Sequence, residues 1–130
     1  MKFVSGVLYT HKPCDVCPIA ERVLERLKIE FHPYFTYSVK EVSKKTIFND
    51  VGMRLAQDYS SNPANYNFIK RHGGEVPIII LSNGMIVEFV KGCDKSGKLL
   101  ELELRRKLGI FGLRNLIKEI ELMTYENKNF

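Results

Sequence analysis

Two cysteines separated by two residues, Cys14-Asp15-Val16-Cys17, stand where a β-prone run ends and a helical pattern begins, and no other feature narrows the fold as much. Residues 3–9, Phe-Val-Ser-Gly-Val-Leu-Tyr, are apolar and suited to a strand, and a loop over 10–13 follows. Beyond the pair, Ile19, Val23, Leu24 and Leu27 recur at helical spacing, with Glu21, Arg22, Glu25, Arg26 and Lys28 on the opposite face. Pro18 has no N–H to donate and belongs in a first helical turn, so the helix starts at or just before Cys17.

That placement carries chemistry. A sulfur at a helix N-terminus sees unpaired backbone N–H groups and the positive end of the helix dipole, which favour thiolate over thiol. Such sites lower a cysteine pKa from about 8.5 to roughly 3.5–7.5. Cys14, nearer the loop, is the expected nucleophile, and Cys17, one turn inward, is placed to attack the mixed disulfide that results. Lys12 and His11 add positive potential, whereas Asp15 opposes it.

The rest of the chain supplies a sheet. Residues 29–35 read as a second strand, demoted to an edge by Pro33. From 36 to 75 the pattern is polar and helical: Ser43 caps a segment with Ile47, Phe48, Val51 and Leu55 inward, and Asn62-Pro63 opens a second helix ending at Gly73-Gly74. Residues 76–81, Val-Pro-Ile-Ile-Ile-Leu, form the most continuously buried strand. Asn83-Gly84 signals a hairpin, with 85–90 as the antiparallel partner. A leucine-rich helix with Leu99, Leu100, Leu102, Leu104 and Leu108 stops at Gly109, and a terminal helix within 110–124 turns Leu113, Leu116, Ile117 and Ile120 inward. The expectation is one α/β domain over 1–130, a four-stranded mixed sheet flanked by helices.

At 130 residues, 45% hydrophobic and 27% charged, the chain has the makeup of a globular domain with its own core. No apolar run reaches the roughly 18 residues of a membrane span, and the N-terminus lacks a signal-peptide pattern, so a cytoplasmic location is expected. In a reducing compartment a close cysteine pair reads as redox or metal chemistry. The net charge of +5 suits an acidic partner, yet the dense cluster Arg105-Arg106-Lys107 lies among Glu101 and Glu103 in a helical pattern and reads as a solvated face. Membrane and nucleic-acid partners are not expected.

Three motifs in order, Val7-Leu8-Tyr9-Thr10 leading to Cys14-Asp15-Val16-Cys17, Val76-Pro77 opening the third strand, and Gly92-Cys93-Asp94 before the leucine-rich helix, resemble the glutaredoxins of the thioredoxin-fold superfamily. The resemblance implies a thiol-disulfide oxidoreductase with no bound cofactor. Its reductant would be glutathione or a dithiol protein, and its substrate a disulfide-containing protein, ribonucleotide reductase being common for the family. It further implies that Pro77 is a cis-proline facing the cysteines and that the Val76 backbone pairs with a bound peptide. Lys12 would approach the glycine carboxylate of glutathione, and Asp94 with the Cys93 backbone would hold its γ-glutamyl end. From the residues alone, Lys12 reads equally as a solvated loop charge, Asp94 as a helix cap and Cys93 as a small buried residue. The sequence departs from the family in placing Lys12 two residues before the first cysteine, in Asp15-Val16 within the pair, and in Lys91-Gly92 before Cys93. The insert and the terminal helix are similar to phage or viral glutaredoxins.

Two other readings remain open. Arsenate reductases and redox-sensing regulators share the core and a helical insert before a Pro-Ile-Ile-Ile-like strand, without a Gly-Cys-Asp motif of this kind. A zinc or iron-sulfur module would need further ligands, for which His11, His32, His72 and Cys93 are the candidates; no metal site is expected.

Overall fold

The computed structural model describes residues 3–10, 14–41 and 77–128, with side chains to 125. The elements run β1 (Val4–Thr10), α1 (Cys17–Glu30), β2 (Phe35–Glu41), β3 (Ile78–Ser82), β4 (Val87–Lys91), α2 (Lys98–Ile110) and α3 (Leu116–Lys128). The four strands form one sheet in the order β2-β1-β3-β4. β1 pairs parallel with β2, while β3 pairs antiparallel with both β1 and β4. A β-α-β unit extended by a hairpin and a helix is the arrangement of the thioredoxin fold, as expected.

The register sets the geometry of one sheet end. Thr10 lies opposite Glu41, Tyr9 opposite Ile78, and Ile78 opposite Lys91. The last residues of β1, β2 and β4 therefore sit beside the first residue of β3, and the Gly92 N–H donates to the Pro77 carbonyl at 2.8 Å.

The core lies between the sheet and two helices. Val4, Leu8, Phe35, Ile79, Leu81 and Val90 meet Ala20, Val23, Leu24 and Leu27 of α1 and Leu100, Leu104 and Leu108 of α2. Each fully buried side chain of this size contributes about 1.5–3 kcal/mol. Ile78 and Ile80 alternate to the other face and are buried as well, so β3 is covered on both sides, as its unbroken apolar run predicts. At the hairpin the Asn83 N–H donates to the Ile86 carbonyl, and the Asn83 side-chain carbonyl accepts from the Met85 and Ile86 N–H groups. Gly84, at φ 90°, leads the turn.

Several expectations are corrected. Of residues 29–35 only Phe35 is strand: Ile29 and Glu30 complete α1, and Tyr34 leads into β2 after a turn holding the cis His32–Pro33 bond. β2 occupies 35–41, so the first six residues assigned to the helical insert are strand; alternation buries Phe35 and half-buries Tyr37. Its edge position agrees with the expectation, though Pro33 precedes it. The helices expected within 42–75 lie outside the described residues.

Gly109 does not stop α2, which runs through it to Ile110. The stop is Gly112, at φ 91°, whose N–H donates to the Gly109 carbonyl while the Leu113 N–H donates to that of Leu108. Glycine relieves the left-handed strain of this cap, and buried Leu108 and Leu113 supply its apolar contact. Leu113 thus belongs to the cap rather than to the last helix. Leu116, Ile117 and Ile120 are exposed rather than inward, because α3 attaches through Leu113, the Arg114–Glu119 pair and Tyr125 on its other side.

Arg105 is not on a solvated face either. It is 3% exposed and gives two parallel bonds of 2.7 Å to the Glu30 carboxylate and one of 3.1 Å from Nε to Glu101. Arg26 reaches the other Glu101 oxygen at 2.6 Å, and Asn115 donates to Glu30. The helical spacing of Glu101 and Arg105 looks like surface charge until the partner helix is known. Arg106 is exposed, as expected.

Candidate active site

Cys17 is the first residue of α1 and is 6% exposed, with Pro18 in the first turn as expected. Val16 caps the helix without a side-chain hydrogen bond, and the first turn contains no acidic residue. The N–H groups there find no side-chain acceptor, and their partial positive charge falls on the sulfurs. Cys14, half-buried in the preceding loop, is bonded to Cys17 with a sulfur separation of 2.05 Å and a Cα separation of 5.6 Å. The two residues singled out from spacing are therefore joined, one reachable and one sheltered.

Beside the disulfide lies a groove of about 410 Å³ lined by Thr10, Cys14, Cys17, Pro18, Glu21, Val39 and Glu41. Its walls follow from the fold. The chain reverses between β1 and α1 and again between α1 and β2, which sets the first turns of α1 beside the last residues of β2. Further along the same two elements, the Tyr37 hydroxyl donates to Glu25 at 2.8 Å and the Lys28 ammonium lies over the Tyr37 ring. Burial and the bond to the Glu25 carboxylate push the Tyr37 hydroxyl pKa well above that of an ordinary phenol.

The other motif residues gather at the same sheet end on the β3–β4 side. Pro77 is buried just before β3. Cys93 is half-buried, donates to the Asp94 carbonyl, and has its thiol pKa pushed up to about 11 by burial and the nearby Asp94 charge. The Asp94 carboxylate accepts from the Ser96 hydroxyl and, at 3.0 Å, from the Leu100 N–H in the first turn of α2. Burial opposes its ionisation, but these bonds outweigh burial and hold its pKa below the ordinary value of 3.8. Cys93, Asp94 and Leu100 also line a second, shallower hollow of about 270 Å³.

Lys12, Val76 and the Val76–Pro77 bond lie outside the described residues. Glu21, Val39 and Glu41 were not singled out from the sequence. Glu21 lies four residues beyond Cys17 on a helix, a spacing that could have flagged it. Val39 and Glu41 were hidden by the misplaced second strand. Among the described residues no three His, Cys, Asp or Glu side chains gather as a metal site, and no helix is long and apolar enough to cross a membrane.

Fold and site together define a thioredoxin-fold protein with a C-x-x-C disulfide at the β1–α1 junction. No family model matches the sequence, and no curated protein is similar to it. Among solved structures, the chain is similar to thioredoxin O2 from Arabidopsis thaliana in the oxidized state, at 16% identity and a TM-score of 0.49, over 88% of this chain and 77% of that one. It is also similar to a designed protein at 22% identity and a TM-score of 0.47, over 88% and 80%. The fold assignment rests on the sheet order and connections rather than on these likenesses.

Proposed function

We propose that this protein is a thiol-disulfide oxidoreductase of glutaredoxin type, with Cys14 as attacking thiol and Cys17 as resolving thiol. The observation that carries the reading is the bond between half-buried Cys14 and sheltered Cys17 in the first turn of α1. In the reduced protein the Cys14 thiolate attacks one sulfur of a substrate disulfide, forming a mixed disulfide and expelling the other sulfur as a thiolate that takes up a proton. Cys17 then loses its proton and attacks the Cys14 sulfur. The Cys14–Cys17 bond closes and the second substrate sulfur leaves as a thiol. Two thiols are oxidised and one disulfide is reduced; an external thiol reductant restores the pair.

Glutathione is the proposed reductant. An α-ammonium group at its γ-glutamyl end would meet Asp94, whose carboxyl stays ionised at neutral pH. Pro77 and Cys93 flank that position at the same sheet end, and Lys12 and Val76 are assigned the remaining contacts by resemblance. The cytoplasm, where glutathione is plentiful, is the proposed location.

The test is reduction of a glutathione mixed disulfide by the protein with glutathione as donor. Cys14→Ser should abolish turnover, and Cys17→Ser should accumulate a mixed disulfide on Cys14 visible as added mass. Full activity in Cys14→Ser would refute the assignment.

A further inference from the structure

We infer that the protein disulfides this site reduces are carried on cationic segments, selected by Glu21 and Glu41. The inference deepens the oxidoreductase reading proposed above and rests on it. The groove beside the disulfide brings apolar surface from Pro18 and Val39 together with two carboxylates, one from α1 and one from the last residue of β2. Glu41 pairs in register with Thr10, at the point where β1 leaves for the cysteine loop. Among the described residues neither carboxylate has a hydrogen bond or ion pair, whereas Glu25, one turn beyond Glu21 on the same helix, accepts from Tyr37.

Two acids without partners among the described residues, beside an apolar surface and a reactive sulfur, suit a segment with arginine or lysine near its cysteine. The stems of such residues cover Pro18 and Val39, and their heads meet the carboxylates. The chain as a whole carries +5, so the groove opposes the sign of the molecule. Screening over about 8–10 Å leaves the nearby pair of acids in control at contact.

The experiment uses two peptides identical except for arginine or glutamate on both sides of one cysteine, each as a mixed disulfide with 2-mercaptoethanol. The pre-reduced full chain is mixed with each, quenched with acid, and the released peptide thiol is measured in a single turnover. Each rate is divided by that obtained with free dithiothreitol, which removes intrinsic differences between the peptides. The arginine peptide should be favoured about tenfold at low ionic strength. The preference should shrink toward unity in about 0.5 M salt. Glu21→Gln with Glu41→Gln should bring the ratio close to one, while Glu121→Gln, on exposed α3, should leave it as in the wild type. Equal normalised rates in the wild type, or an unchanged ratio in the double variant, would overturn the selection and leave the oxidoreductase reading standing. Failure to reduce either peptide would overturn that reading itself.

Discussion

Arg105 holds Glu30 through two parallel hydrogen bonds of 2.7 Å each, joining the middle of α2 to the last residue of α1. The same guanidinium reaches Glu101, which in turn takes Arg26, so one buried cation organises charges from both helices. Removing it would leave Glu101 sheltered with, among the described residues, only the exposed Arg26 as counter-charge. Arg105→Ala should therefore cost about 2–4 kcal/mol in urea denaturation. Arg106→Ala, one residue on and exposed, should stay within about 0.5 kcal/mol.

The same pair sets an acid limit. Hydrogen bonds and charge from Arg105 hold the Glu30 carboxyl below its ordinary value of 4.5, outweighing burial. A carboxyl with a depressed folded pKa stabilises fully above its unfolded value, and that contribution fades as pH falls through the folded value. Urea midpoints should hold above about pH 5 and decline below 4.5, and Glu30→Gln should make the decline shallower. A decline of equal steepness in Glu30→Gln would assign the acid limit to other carboxyls.

Cys93 should be a slow thiol. With its pKa raised to about 11, it is almost wholly protonated at neutral pH. In the oxidised protein it is the free cysteine, so iodoacetamide should add one label, at a rate still climbing past pH 9. After reduction a second, faster phase should appear and map to Cys14. Fast labelling of Cys93 at pH 7 would contradict the burial argument.

Three glycines should respond differently to alanine. Gly97, at φ 77°, would place a Cβ 2.9 Å from Ile19 Cγ2 and 3.0 Å from Val23 Cγ2, so Gly97→Ala combines backbone strain with a clash and should cost about 2–4 kcal/mol. Gly112, at φ 91° with open space around it, carries strain alone, about 1–2 kcal/mol. Gly109 lies inside α2 with ordinary room for a methyl, so Gly109→Ala should stabilise by about 0.5–1 kcal/mol. Thermal or urea melts of the three variants give the order.

The cysteine motif, the start of α1 at Cys17 and the hairpin around Gly84 were legible because each depends on local chemistry: a missing N–H, a dipole, a positive φ. The same holds for the buried run of β3, whose composition admits little else. Residues 29–41 misled because Ile29 and Phe31 look β-prone, whereas Glu30 stays helical through Arg105, seventy-five residues away. Gly109 and Gly112 offered rival helix stops; the longer helix lets Leu113 return to Leu108 in the core. The acidic wall of the groove depended on where β2 ends, which only the pairing of Glu41 with Thr10 reveals.

Because α1 carries the sulfurs at one tip and the Glu30 clamp at the other, a rod of about 20 Å separates the reactive bond from its mooring. The charged anchor ties down the far end of the helix whose first residue is Cys17. In the proposed chemistry Cys17 is the fixed member of the pair, because the far end of its helix cannot shift without breaking the two bonds to Arg105.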